Sequence, residues 1–135
     1  MRIFESKNRV QKVIGVDFDK TCVTDEYPKI GKPIDGCIDV LTRLQAKHKL
    51  ILITQRTDNE LKEAVEWLKS NGINLFGIND NPEQHEWNSS RKIYADFYID
   101  DKNIGVPCDE FGDVLWKGEH SIESILIGKS ILQPA

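Results

Sequence analysis

The stretch KVIGVDFDKT, residues 12–21, carries the strongest structural signal in the chain. It opens with a short apolar run rich in β-branched side chains, and a run of this length and composition predicts a buried β-strand. The polar residues that come next include two prolines and a glycine, which predicts a loop over residues 20–33 rather than a helix. The strand therefore ends in two carboxylates, Asp17 and Asp19, where a long loop begins.

Helical and extended patterns alternate after this loop. Between residues 34 and 48, apolar residues recur at three- and four-residue steps, which predicts a helix with one buried face and Asp35 as its N-cap. The sequence LILIT, residues 50–54, predicts a second buried strand. Thr57 and Glu60 have the spacing of a capping box, which predicts that a second helix begins there.

The remaining elements are shorter. Residues 74–78 predict a weaker strand, residues 97–99 a further strand, and residues 121–127 a terminal helix. The alternation predicts an α/β fold: a three-layer, Rossmann-like parallel sheet with helices on both faces, in one domain spanning residues 1–135. In such sheets, ligands bind beyond the carboxyl ends of the strands.

Composition and charge narrow the choice of partners. The net charge is −4, which argues against nucleic-acid binding because such binding needs a basic face. No apolar run approaches the roughly 20 residues of a membrane span, and residues 1–12 lack the apolar core of a signal peptide. Cys22, Cys37 and Cys108 share no zinc-ligand or redox spacing, so we expect free thiols and a cytoplasmic protein.

Asp17 and Asp19 are the first candidates for chemistry. Their two-residue spacing on extended chain points both carboxylates to one side. Two anions so placed repel each other unless a cation lies between them or one takes a proton. With Mg²⁺ bound, Asp17 would stay ionised as a nucleophile, and Asp19 could exchange a proton with a leaving alcohol and with water. The alternative is a solvated turn or a helix N-cap.

Asp100 and Asp101 end the strand at residues 97–99. Adjacent carboxylates gain nothing from their mutual repulsion, whereas a hard cation such as Mg²⁺ favours oxygen ligands of this kind. The alternative is a simple turn, in which Asn103 is a favourable residue. The residues alone leave both interpretations open.

Three further residues are candidate phosphate ligands. Thr54 follows the second strand with a hydroxyl, Arg56 could bind a phosphate through two N–H groups, and Lys92 precedes the strand at residues 97–99. Each also has an ordinary structural alternative: the threonine completes a strand, and the two cations are solvated surface residues. Chemistry alone does not separate Lys92 from its neighbour Arg91.

In this order, the motifs resemble the four-motif series of the haloacid-dehalogenase superfamily. VIGVDFDKT resembles its DxDxT motif, LILIT its strand ending in Thr or Ser, Lys92 its lysine, and YIDD its acidic pair. The resemblance spans residues 12–104. The segments at residues 25–36 and 91–105 are similar to short phage and bacterial members of the superfamily.

The resemblance implies a Mg²⁺-dependent phosphomonoesterase that works through an aspartyl-phosphate. Asp17 would be the nucleophile, and Asp19 the general acid/base with its backbone carbonyl on Mg²⁺. Asp100 and Asp101 would complete the metal site, and Thr54 would hold the phosphate together with Lys92.

The resemblance also bears on the shape of the site. Thr21 would support the Asp19 loop, and Lys20 stands where the superfamily usually has Gly. The loops are too short to hold a cap domain, so the site would be open, with residues 20–33 as the only flap. An open site suits a macromolecular or bulky phosphorylated substrate, or needs a partner subunit to close it.

Two other functions use some of the same residue types. A phosphoacceptor receiver domain uses similar residues, but there the acidic pair comes early and the lone acceptor aspartate later, which is the reverse of the order here. A catalytically weak or inactive metal-binding module that acts by interaction is the second. Phosphate release would separate it from the enzyme.

Overall fold

The computed structural model describes residues 11–135, and residues 1–10 of the predicted single domain lie outside this range. A four-stranded parallel sheet lies at its centre. The strands are β1 (Val13–Val16), β2 (Lys49–Leu52), β3 (Gly77–Ile78) and β4 (Phe97–Ile99). Their order across the sheet is β3-β2-β1-β4. The predicted α/β fold with a Rossmann-like parallel sheet is confirmed, with strands mostly shorter than predicted.

Within residues 11–135, three α-helices accompany the sheet: α1 (Cys37–Gln45), α2 (Asp58–Ser70) and α3 (Ile122–Gly128). Asp35 is not the N-cap of α1, contrary to prediction, because the chain enters the helix through Gly36 at φ 83°, a left-handed conformation that suits glycine. Thr57 is the N-cap of α2, but its side chain makes no capping hydrogen bond. The predicted terminal helix is present, and Ser121 starts it with a capping box.

The three α-helices pack on the same face of the sheet. Their buried side chains form one apolar cluster with alternate strand residues, which are Ile14, Val16, Leu50, Leu52 and Ile99. The connections β1-α1-β2 and β2-α2-β3 move in one direction across the sheet, and right-handed crossovers then place both helices on one side.

A 3₁₀ helix, Pro82–Glu86, lies against part of the opposite face. Gly77 lies in register with the fully buried Ile51, and a Cβ on Gly77 would lie 3.1 Å from Pro82 Cδ. The chain crosses this face because it returns from β3, past β2 and β1, to β4. The prediction of helices on both faces is therefore wrong for α-helices in residues 11–135, where a 3₁₀ turn and irregular chain form the second layer.

The sheet geometry decides where the candidate residues meet. All four strands run parallel, so their carboxyl ends, with the residues that follow them, lie along one edge. Within the described range, no helix combines the length and apolar character that crossing a membrane requires.

Candidate active site

Three carboxylates converge at the carboxyl edge of β1 and β4. Asp17 directly follows β1, and its N–H donates to the Ile99 carbonyl at 2.9 Å, so the pairing of the two strands continues to this point. Asp100 and Asp101 follow Ile99 directly. One carboxylate oxygen from each aspartate lies within 4.8 Å of the others. The sheet thus brings together side chains that are more than 80 residues apart in sequence.

The charge of this cluster is poorly compensated by the protein. Burial, the neighbouring Asp100 charge and a hydrogen bond with Asp101 raise the pKa of Asp17 to about 7. Among the described residues, the one ion pair to the cluster is Lys102 Nζ, 3.8 Å from Asp101 on a side chain that is 84% exposed, and such a pair contributes little. Carboxylate oxygens at this spacing suit a hard divalent cation, which would relieve the repulsion.

Thr21 joins the two halves of the cluster. Its Oγ1 donates to Asp17 Oδ2 at 3.0 Å and accepts from the Asp101 N–H at 3.1 Å. The sequence predicted a support for the Asp19 loop, whereas the hydroxyl contacts Asp17 and Asp101. A fully buried threonine therefore aligns a carboxylate after β1 with the backbone after β4.

The segment before α3 forms hydrogen bonds with residues 20 and 21 of the loop that follows β1. The sequence did not predict these contacts. Trp116 is fully buried, and its Nε1 donates to the Thr21 carbonyl at 2.6 Å. The Val114 N–H donates to the Lys20 carbonyl at 3.0 Å, and Lys20 Nζ donates to the Phe111 carbonyl at 3.0 Å. A buried tryptophan in a stretch without periodicity gives no sequence signal of the backbone carbonyl that it binds.

Lys20 itself adopts a left-handed conformation, with φ 67°. Glycine adopts such backbone angles without strain, whereas a side chain costs about 1 kcal/mol. The angle gives a physical reason why glycine would suit this position. The lysine ammonium is directed to the turn that contains Phe111.

Asp19 lies outside the carboxylate cluster and has its own cation. Arg56 Nε donates to Asp19 Oδ2 and Arg56 Nη2 donates to Asp19 Oδ1, both at 2.8 Å. The Arg56 side chain is 1% exposed and the Asp19 side chain 23%. This pair raises the pKa of Arg56 further above its usual value. Within residues 11–135, the Asp19 carbonyl accepts no backbone hydrogen bond, so it is open to another partner.

The remaining N–H groups of Arg56 bind backbone carbonyls. Nη1 donates to Pro28 and Glu60 at 3.1 and 3.3 Å, and Nη2 donates to Lys29 at 2.8 Å. A guanidinium has five N–H groups, and all five are used here. The arrangement leaves none for a phosphate, which departs from the phosphate-binding role that the sequence predicted for Arg56.

Thr54 and Lys92 lie in different surroundings. The Thr54 N–H donates to Asn79 Oδ1 at 2.8 Å, and its Oγ1 accepts from the Arg56 N–H at 3.1 Å. Asn79 follows β3 and binds the Thr54 N–H. Thr54 and Asn79 therefore lie at the same edge of the sheet as Asp17. Lys92 is exposed, and its Nζ lies 5.9 Å from the centre of the Tyr98 ring. In the described part of the chain, Lys92 forms no ion pair with the aspartates.

Comparisons with known proteins identify one relative. Neither a protein-family model nor a curated protein matches the chain. A solved structure, that of a conserved protein from Bacteroides thetaiotaomicron, is 35% identical, with a TM-score of 0.69 over 88% of this chain and 91% of that chain. The chain belongs to the family of this conserved Bacteroides protein. The two proteins share the same α/β architecture.

Proposed function

We propose that the protein is a Mg²⁺-dependent phosphohydrolase of the haloacid-dehalogenase type that forms an aspartyl-phosphate on Asp17. One observation carries this proposal: the carboxylates of Asp17, Asp100 and Asp101 converge from two adjacent strands within 4.8 Å. Burial and the neighbouring charges disfavour the ionised form of Asp17, whose pKa is about 7. A divalent cation at this point would favour the ionised, nucleophilic form.

The donor set supports Mg²⁺ as the cofactor. Asp17 and the Asp100-Asp101 pair would supply carboxylate oxygens, and Asp19 would supply its backbone carbonyl. All of these are hard oxygen donors, the type that Mg²⁺ prefers. When bound, the cation would offset the negative charge of the phosphate and of Asp17 together.

The proposed reaction has two displacements at phosphorus. An Asp17 oxygen attacks phosphorus, the bond to the ester oxygen breaks, and that oxygen takes the proton from the protonated form of Asp19 as the alcohol leaves. A water molecule then attacks the aspartyl-phosphate, the bond from phosphorus to Asp17 breaks, and Asp19 accepts the proton that the water loses. Inorganic phosphate leaves, and both carboxyl groups return to their starting states.

Thr54 and Lys92 are the proposed phosphate contacts. Thr54 keeps a hydroxyl proton available, because its Oγ1 accepts only the Arg56 N–H among its described contacts. Lys92, whose side chain is exposed, remains a prediction.

The loops support a site without a cap domain. Residues 17–36, between β1 and α1, fold back on themselves, with the Thr24 N–H donating to the Lys32 carbonyl at 2.8 Å. Residues 79–96, between β3 and β4, hold one short 3₁₀ helix. Neither segment is long enough to enclose a core of its own, so we propose an open site that accepts a bulky phosphorylated substrate.

A metal-binding interaction module is the second candidate. The observation that favours it is the ion pair of Asp19 with Arg56, which occupies both carboxylate oxygens of the proposed acid/base group. A protein that has lost turnover would still bind a cation through Asp17, Asp100 and Asp101.

The test is phosphate release from p-nitrophenyl phosphate and a panel of phosphate esters with Mg²⁺, comparing the wild type with Asp17→Asn. Loss of a covalent nucleophile lowers kcat by about 10⁴-fold or more, so activity should disappear in this variant. Asp35→Asn is the matched control, because Asp35 is exposed and should keep full activity. Wild-type inactivity across the panel, with Mg²⁺ still bound, would establish the interaction module instead.

A further inference from the structure

We propose that Arg56 is a positioning residue that holds the Asp19 carboxylate and the tip of the neighbouring hairpin in one fixed arrangement. The hairpin is residues 23–33, and its tip is the turn at residues 26–29. This inference rests on the proposed function for its catalytic consequence. The arrangement itself can be tested without activity.

The hairpin is an ordered structure around a short turn. Val23 pairs with Pro33 in an antiparallel bridge, and the Lys29 N–H donates to the Glu26 carbonyl at 2.9 Å. The tip itself is exposed to solvent. Since its residues bury little apolar surface, the hairpin needs another contact to fix the position of its tip.

Arg56 supplies that contact. Its guanidinium lies 5.1 Å from the ring centres of both Phe18 and Tyr27, so it stacks between the strand end and the hairpin. Two of its hydrogen bonds go to the carbonyls of Pro28 and Lys29 at the tip. The same guanidinium binds both oxygens of Asp19, so the orientation of the carboxylate and the position of the hairpin depend on one side chain.

Two further hydrogen bonds hold Arg56 in place. Its Nη1 donates to the Glu60 carbonyl in the first turn of α2, and its backbone N–H donates to Thr54 Oγ1. Arg56 thus connects the ends of β1 and β2, the first turn of α2 and the hairpin. A lysine could not reproduce this arrangement, because an ammonium has three donors and no planar fork.

The catalytic consequence concerns proton transfer to the leaving group. Formation of the aspartyl-phosphate needs a proton from Asp19 when the leaving group is an alkoxide, but not when it is p-nitrophenolate. Loss of the guanidinium should therefore lower kcat/KM for alkyl phosphates more than for aryl phosphates. A purely structural role would lower both values to the same extent.

The experiment compares Arg56→Lys with Arg43→Lys, using one alkyl phosphate and p-nitrophenyl phosphate. Arg43 is a matched control because it also binds two carboxylates and a backbone carbonyl, but on α1. General acid catalysis contributes about 10²–10⁴-fold. Arg56→Lys should therefore lower kcat/KM for the alkyl ester by at least about tenfold more than it lowers kcat/KM for p-nitrophenyl phosphate. In the Arg43→Lys control, kcat/KM for each of the two substrates should change by less than about twofold.

A double-mutant cycle with Asp19→Asn tests whether Arg56 acts through Asp19. If it does, Asp19→Asn/Arg56→Lys should be no worse on the alkyl ester than Asp19→Asn alone, since residues in contact are not additive. Equal losses on the two esters, or fully additive losses, would overturn the proposal. Tyr27→Leu, which removes only the stacking ring, is the milder variant if Arg56→Lys does not fold, and it should show the same substrate bias.

Amide hydrogen exchange tests whether Arg56 holds the hairpin, and this measurement does not depend on activity. In Arg56→Lys and in Tyr27→Leu, the amides of Thr24 and Lys29 should exchange faster, while the amides of α1 keep their wild-type rates. Unchanged exchange at the hairpin would overturn the proposal. If the wild type hydrolyses no phosphate ester, the proposed function fails, and the exchange rates alone decide whether Arg56 holds the hairpin.

Discussion

Asp17 and Asp19 are separated by one residue, yet their surroundings neutralise charge in opposite ways. Asp19 is paired through both oxygens with a buried guanidinium. Asp17 faces Asp100 and Asp101, and its pKa is raised to about 7. The protein therefore supplies a cation to Asp19, whereas the described residues pair none with Asp17, whose pKa is raised instead.

The Asp19-Arg56 pair and the Asp17 cluster also contribute differently to the stability of the fold. The Asp19-Arg56 pair connects the ends of β1 and β2, the first turn of α2 and the hairpin, and therefore holds the loop in shape. The Asp17 cluster stores unfavourable repulsion that ligand binding can relieve. Replacing one member of the pair should therefore destabilise the protein, whereas replacing one member of the cluster should stabilise it in the absence of metal.

The largest effect is expected from removing the internal cation. Arg56→Met should lower the free energy of unfolding by about 3–5 kcal/mol, because breaking a buried ion pair leaves an uncompensated charge and unpaired carbonyls. Chemical denaturation of the metal-free protein measures this change. Arg43→Met, in which the replaced arginine side chain is 22% exposed, should cost about 1 kcal/mol. Equal losses in the two variants would remove the distinction between the sites.

A smaller effect is expected from supplying the external cation. Mg²⁺ at about a hundred times its Kd should stabilise the protein by about 2.7 kcal/mol. Protons compete for Asp17 below its pKa of about 7, so the rise in Tm should be larger at about pH 8 than at about pH 5.5. Differential scanning fluorimetry with and without Mg²⁺ gives both values. A pH-independent rise would contradict a role for Asp17 as a ligand.

The smallest effect concerns Asp17 in the absence of metal. Its pKa is higher in the folded protein than its ordinary value of 3.8, so folding binds the proton more tightly. The associated stability is complete below about pH 4 and is lost as the pH rises through about 7. Asp17→Asn should therefore be more stable than the wild type at about pH 8, by about 1–2 kcal/mol after solvent screening. A less stable variant at that pH would contradict the charge repulsion.

The sequence predicted the sheet well because each strand has a local signal. The apolar runs that form β1 and β2 can be recognised from their composition. Parallel pairing then places the carboxyl ends of the two strands on one edge of the sheet. Asp17, Asp100 and Asp101 could be found for the same reason, since each directly follows a strand. Helices on both faces were expected from the general pattern of α/β folds, whereas residues 79–96 cross the sheet with one short 3₁₀ helix.

The environment of Arg56 could not be predicted from sequence. Nothing local distinguishes an arginine that binds phosphate from one that binds Asp19, because its acceptors are 4 to 37 residues away. Its contacts with Pro28 and Lys29 depend on where the hairpin tip folds. The same holds for Trp116, which reaches Thr21 across 95 residues. Contacts of this kind are set by the tertiary fold.

The central claim is that Asp17, Asp100 and Asp101 share one divalent cation. Isothermal titration of Mn²⁺ into the wild type, Asp17→Asn, Asp101→Asn and the Asp35→Asn control tests it most directly. We predict one site per chain, with Kd weakened by about tenfold or more in the first two variants and unchanged in the control. Equal affinity in Asp17→Asn and the wild type, or the absence of a site in the wild type, would contradict the claim.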